Sequence, residues 1–191
     1  MAQVGVLALQ GAFLEHERSF QRLGAGAVEV RRPHQLEDLD ALVIPGGEST
    51  TISLLLDSYD LRQPILDMAK RGIPLWGTCA GMIMLAKGIE DERVRSLDLM
   101  DLNVVRNAFG RQVDSFETDL PVAALGGAPF RAIFIRAPIV GSAGEGVEVL
   151  ARLPDGRIAA ARQRGLLATA FHPELTEDNR FHQLFLDMVG R

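Results

Sequence analysis

Short apolar runs alternate with stretches of helical spacing over roughly the first 90 residues, and this alternation narrows the possible folds more than any other feature of the chain. Residues 4–9 (Val-Gly-Val-Leu-Ala-Leu) form a nearly continuous apolar run, the signature of a strand buried on both faces. Residues 12–23 then carry helical spacing, with Phe13, Phe20 and Leu23 on one side and Glu15, Glu17 and Arg18 between them. Further strands are expected at 28–31, 41–44 and 73–76, and further helices at about 50–56, 63–70 and 80–86. Parallel strands need long crossovers, and helices supply them, so the pattern predicts a mostly parallel sheet covered by helices on both faces. The second half changes character. Strands are expected at 102–105, 130–135, 147–153, 158–162 and 166–170, joined by short turns such as Pro154-Asp155-Gly156, with a closing helix at 179–189. That half reads as an antiparallel edge, with 141–146 a surface loop. The expected fold is α/β, a three-layer sandwich forming a single domain over residues 1–191.

Size and charge exclude several classes. A chain of 191 residues builds one substantial core. Its net charge of −5, with no basic block, argues against nucleic acid as a partner. The N-terminal residues lack the pattern of a signal peptide, and no window nears the roughly 20 apolar residues of a membrane span, so a cytoplasmic protein without a membrane segment is expected. Its lone cysteine, Cys79, forms no disulfide within the chain and no Cys-rich zinc site.

Cys79 stands in Trp76-Gly77-Thr78-Cys79-Ala80-Gly81-Met82, between an expected strand and an expected helix. A residue flanked by small neighbours at a sharp strand-to-helix turn has the layout of a nucleophile elbow. The helix start favours a thiolate, and the N–H of Ala80 is placed to stabilise an oxyanion. The competing reading is a small buried cysteine at a tight turn.

A thiol that attacks an amide needs a base, and the base needs an orienting group. Three histidines, His16, His34 and His182, read as solvated or structural. His172 differs, because it follows an apolar strand and precedes Pro173-Glu174. In an extended chain residues two apart project to the same side, which lets Glu174 reach the imidazole. No pair of histidines has the spacing of a metal site, so no metal is expected.

The segment Pro45-Gly46-Gly47-Glu48-Ser49-Thr50 also follows a buried strand and opens a helix. It lacks the phosphate-loop pattern and carries an acidic residue where an anion would sit. Two readings stay open: a helix cap by Ser49, or a second oxyanion donor from Gly47 with Glu48 lining a pocket for a zwitterionic substrate.

Together with Leu9-Gln10-Gly11-Ala12, Glu15-His16, the run from Arg106 to Gln112, the run from Phe134 to Pro138 and His172-Pro173-Glu174-Leu175, these blocks resemble the class I (triad) glutamine amidotransferases. Within that family they are most similar to the branch of glutaminase subunits serving pyridoxal 5′-phosphate (vitamin B6) synthesis. The resemblance implies a flavodoxin-like fold, Cys79 as nucleophile, and His172 with Glu174 completing a triad. It also implies an oxyanion hole from Gly47 and Ala80, and contacts to L-glutamine from Gln10, Gly47, Glu48, Ser49, Arg106, Ile135 and Arg136. No cofactor is implied. The implied partner is a synthase subunit of (β/α)₈ barrel fold, twelve of each subunit per complex. Alternatives are a glutaminase subunit of another pathway, such as imidazole glycerol phosphate synthesis, or a cysteine hydrolase of similar fold.

Overall fold

A computed structural model describes residues 1–105 and 115–190. In chain order its elements are β1 (Gln3–Leu7), α1 (Phe13–Arg22), β2 (Gly26–Val30), β3 (Ala41–Ile44), α2 (Ser49–Ser58), α3 (Arg62–Lys70), β4 (Leu75–Thr78), α4 (Ala80–Leu85), β5 (Ala86–Ile89) and β6 (Met100–Val105). After them come β7 (Ser115–Leu120), β8 (Phe130–Ile135), β9 (Ile139–Ala143), β10 (Glu148–Arg152), β11 (Ile158–Gln163), β12 (Leu166–Thr169) and α5 (Arg180–Leu186).

Five strands pair in parallel in the order β2-β1-β3-β4-β12. This is the 2-1-3-4-5 order of flavodoxin-like sheets, with the direction of winding reversing between β1 and β3. The residues explain the burial: Val4, Val6, Val43, Ile44, Leu75 and Trp76 have no exposed surface, as strands covered on both faces require. The chain crosses the sheet one way from β1 to β2 and the other way from β3 to β4. Right-handed crossovers therefore put α1 on one face and α2 with α3 on the other. The closing helix α5 packs against α1. Beyond β12 the sheet continues through β11, β9 and β6 in antiparallel pairs to a final strand, β5, with β10 also paired to β11. The expected α/β fold with a mostly parallel sheet, helices and an antiparallel edge is the observed one.

Besides shifts at element ends, such as β4 at Leu75–Thr78 where 73–76 was expected, three segments differ from expectation. Of the stretch expected as a loop at 141–146, residues 144–146 lie outside any strand but 141–143 belong to β9, which is paired to β6 on one side and β11 on the other. Hydrogen bonds along the β6 flank outweigh the small, turn-prone composition. Residues 130–135 do form a strand, but β8 pairs with β7 in a separate hairpin rather than joining the main edge. Its partner was hidden because β7 is polar and half exposed; its one aromatic, Phe116, stacks on Phe134 at 4.6 Å between ring centroids. Finally, α4 stops at Leu85 and runs directly into β5, one residue before the expected helix end.

Candidate active site

The site is assembled from chain turns at the carboxyl ends of neighbouring parallel strands, where open α/β sheets hold ligands. Gln10 follows β1, the Gly46-Gly47-Glu48 turn follows β3, Cys79 follows β4, and His172 follows β12.

Cys79 adopts φ 50° and ψ −106°, a backbone conformation that costs an L-residue on the order of 1–3 kcal/mol. Two glycines make the turn possible. A Cβ at Gly77 would stand 2.3 Å from the Gly81 carbonyl oxygen, and one at Gly81 would stand 1.9 Å from that of Ile44. The Cys79 N–H donates to the Thr169 carbonyl at 2.8 Å, tying the elbow to β12. Its sulfur lies 3.8 Å from the Ile135 carbonyl oxygen at the end of the hairpin.

The imidazole comes from the neighbouring strand. His172 donates its N–H to the Ile133 carbonyl at 2.8 Å, and its Nδ1 lies 2.7 Å from Glu174 Oε1. The expected pairing is present, but the segment is not the extended chain expected to make it. Pro173–Leu175 form a 3-10 turn, and Pro173 opens it with its fixed φ. Gly46 packs against both side chains: a Cβ there would come within 2.4 Å of His172 Cε1 and 3.2 Å of Cys79 Cβ. Burial pulls the His172 pKa down, yet hydrogen bonding to Cys79 and Glu174 and the charges of both hold it up at about 10. The imidazolium is thus the favoured form when thiolate and carboxylate flank it.

A cavity of about 560 Å³ opens over these groups. Gln10, Gly47, Glu48, Ser49, Ala80, Ile135 and Arg136, all expected to contact substrate or oxyanion, line it together with Cys79 and His172. Arg106 lies outside the described residues. Arg136 is exposed and sits at φ 43°, a second strained backbone at the cavity. Ala80 is the first residue of α4, so its N–H has no partner within the helix. Glu48, not Ser49, caps α2: its carboxylate accepts from the N–H groups of Thr50 at 3.3 Å and Thr51 at 2.8 Å and from the hydroxyls of both threonines. Against partial burial, these bonds hold its pKa at about 2, so the group is an anion. The Glu48 N–H donates to Gln10 Oε1 at 2.9 Å, which fixes the loop carrying Gly47. The Ser49 hydroxyl is buried with no hydrogen-bond partner among the described residues.

Sequence reasoning passed over the layer beneath. Of the two readings left for His16 and His182, the structural one holds: both are wholly buried, and His16 Nε2 lies 3.4 Å from Glu174 Oε2. A signal was present. His16 falls on the Phe13, Phe20, Leu23 stripe of α1, and a histidine on an otherwise apolar stripe is buried with partners. Thr78 was also missed; its hydroxyl accepts from the Gly46 N–H at 3.1 Å.

A thiol on a strained elbow, an imidazole beside it and a buried carboxylate behind it are the parts of a cysteine-based nucleophilic site on an α/β sheet. Comparison with known proteins narrows this class. The SNO glutamine amidotransferase family matches residues 6–191, and the chain belongs to that family. It is 62% identical over 188 residues to a protein of Herpetosiphon aurantiacus named pyridoxal 5′-phosphate synthase subunit PdxT, covering 97% of this chain and 99% of that one. A protein of the same name from Dehalococcoides mccartyi is 58% identical over 189 residues, covering 98% and 97%. Among solved structures, a glutamine amidotransferase superposes with a TM-score of 0.92 at 51% identity, over 98% of this chain and 99% of that one. One chain of PurLQS from Thermotoga maritima, at 17% identity and TM-score 0.70 over 97% and 98%, shares the fold. Among the described residues, no helix is long and apolar enough to cross a membrane.

Proposed function

We propose that the chain is a single glutaminase domain that hydrolyses L-glutamine and passes the ammonia to a synthase subunit making pyridoxal 5′-phosphate. The reading is supported by family membership, by the names of the relatives, and above all by one observation: Cys79 and His172, carried by different strands, line one cavity, with Glu174 2.7 Å from the far side of the His172 ring.

The Cys79 thiolate adds to the side-chain amide carbon of glutamine. The amide oxygen becomes an oxyanion, held by the N–H groups of Ala80 and Gly47, each worth about 3 kcal/mol of barrier where such donors have been removed. The His172 imidazolium gives its proton to the departing nitrogen, the C–N bond breaks, and ammonia leaves. A γ-glutamyl thioester remains. Neutral His172 then takes a proton from water, the resulting hydroxide attacks the thioester, and glutamate and the thiolate are released. Glu174 holds the ring and offsets its charge throughout. Glu48, an anion at the cavity wall, suits the substrate ammonium, while Arg136 and Arg106 suit its carboxylate.

Ammonia is a nucleophile only while unprotonated, so transfer within a complex favours its use. The partner is a (β/α)₈ barrel synthase, twelve of each subunit, working in the cytoplasm. Cys79→Ala and His172→Asn are expected to abolish glutamate production in the presence of the synthase subunit while leaving the circular dichroism spectrum unchanged. Undiminished turnover in either variant refutes the assignment. Equal wild-type rates with and without the synthase remove the coupling.

A further inference from the structure

Behind the triad lies a buried polar chain that the proposed chemistry does not use. Glu174 presents two oxygens to the protein interior. Oε1 meets His172 Nδ1, whereas Oε2 is buried without a well-aligned hydrogen bond among the described residues and has His16 Nε2 at 3.4 Å. The same His16 nitrogen lies 3.3 Å from the Thr78 hydroxyl, which in turn holds the Gly46 N–H. On its other side, His16 Nδ1 lies 3.0 Å from His182 Nε2. Trp76 closes over both rings at 5.3 and 4.9 Å between centroids.

We propose that His16, fixed in one tautomer by His182, is a positioning residue that donates from Nε2 to Thr78 and sets that polarised N–H beside the far oxygen of Glu174. This rests on the glutaminase reading of the triad. The tautomer follows from what each nitrogen faces. His182 Nδ1 is buried with no hydrogen-bond partner among the described residues. A proton there would be an orphaned buried N–H, which folded proteins rarely tolerate, whereas an unused lone pair is the milder vacancy. The proton therefore sits on His182 Nε2 and is donated to His16 Nδ1. His16 then carries its own proton on Nε2, shared with Thr78 and 3.4 Å from an anionic carboxylate oxygen, rather than setting a lone pair against it. Both rings stay neutral: burial, then the charges of His182 and His172, lower the pKa of His16, while burial and the charge of Arg22 lower that of His182 to about 3. A neutral donor steadies Glu174 without competing with His172 for its charge. Through Thr78 and Gly46, one ring thus supports both the carboxylate and the turn that supplies the Gly47 donor.

The test has two arms. In the first, ¹⁵N NMR of the wild-type chain labelled at histidine reads the tautomer directly at neutral pH, without any turnover. His16 protonated only on Nε2 is the expected result; a proton on Nδ1, or on both nitrogens, overturns the proposal. In the second, kinetics with the synthase subunit present compare wild type with His16→Leu and His16→Gln. For His16→Leu, kcat is expected to fall about 10- to 100-fold, as when an outer-layer partner of a reactive group is lost, with KM within about twofold. The alkaline limb of the pH profile, set by loss of the His172 proton, should move to lower pH because a loosened Glu174 supports that proton less. His16→Gln keeps a donor and should move both values back toward wild type. If the leucine variant does not fold, His182→Phe, which keeps the aromatic packing but removes the donor, should shift the limb in the same direction. A folded variant with wild-type kcat and an unmoved profile overturns the proposal. Wild-type chain that never turns over glutamine refutes the glutaminase reading instead, and leaves the tautomer result standing.

Discussion

Replacing Gly46 with alanine adds one methyl group at the point where thiol and imidazole meet. Its carbon would lie 2.4 Å from His172 Cε1 and 3.2 Å from Cys79 Cβ. Carbon atoms in contact settle at about 3.5–4.0 Å, so the ring has to retreat by about 1 Å or more, or the Gly46 turn has to swing away. Neither move is cheap. The ring is held by Glu174 at 2.7 Å, the His172 backbone by the hydrogen bond from its N–H to the Ile133 carbonyl, and the turn by Thr78. Overfilling a packed site of this kind costs about 1–3 kcal/mol. For a protein of this size, that lowers Tm by about 2–12 °C, at 2–4 °C per kcal/mol. A misplacement of about 1 Å costs catalysis about 100-fold, so Gly46→Ala should lose far more activity than stability. Glutamate release with the synthase subunit present and differential scanning calorimetry measure the two effects. Gly141→Ala, where the nearest atom is 3.8 Å away, is the control and should be unchanged in both. Should Gly46→Ala keep kcat within twofold of wild type, thiol and imidazole do not meet beside this residue, and the site geometry is wrong.

Two further outcomes follow from buried charge. Arg62, only 6% exposed, joins the exposed Asp57 to the carbonyls of Ser53, Arg95 and Ser96, so Arg62→Met strands several acceptors and should destabilise the fold by about 1–3 kcal/mol in urea titrations; a loss under about 0.5 kcal/mol contradicts that role. Stability should also fall on both sides of neutrality, from opposite causes. His182, lowered to about 3 when folded, stays neutral while the unfolded chain takes up a proton below about pH 6.5, so stability drops by up to about 1.4 kcal/mol per unit as pH falls from there toward 3. His172, raised to about 10, contributes stability that is fully present below about pH 6.5 and is lost as pH rises toward 10. Chemical denaturation across pH 4–9 reads both slopes. His182→Phe should reduce the acid slope to the share that buried His16 contributes and bring the alkaline loss to lower pH with the His172 proton, and an unchanged acid slope would count against a buried neutral His182.

The juxtaposition of Cys79, His172 and Glu174 was legible in the sequence because each carries local context: Cys79 between small residues at a strand end, and His172 two residues before Glu174. Strand β3 matches its expected span because a wholly apolar run defines a buried strand, and β8 does because its apolar and exposed residues alternate. What escaped was whatever depends on a distant partner. The residues of β9 look like a loop until β6 supplies hydrogen bonds, and β7 looks like a polar connection until β8 lies beside it. His16 and His182 meet across 166 residues, a relation no window of sequence contains. Glu48 was expected to serve a substrate ammonium, and its capping of α2 depends on the side chain curling back onto Thr50 and Thr51.

The pairing of β4 with β12 sets Thr78 opposite Thr169, and the turns that follow these two residues carry Cys79 and His172 to one cavity. While β12 stays undocked, the sulfur stands apart from both imidazole and carboxylate. A single seam of backbone hydrogen bonds thus assembles the site, and loosening it would part the two side chains without altering either one.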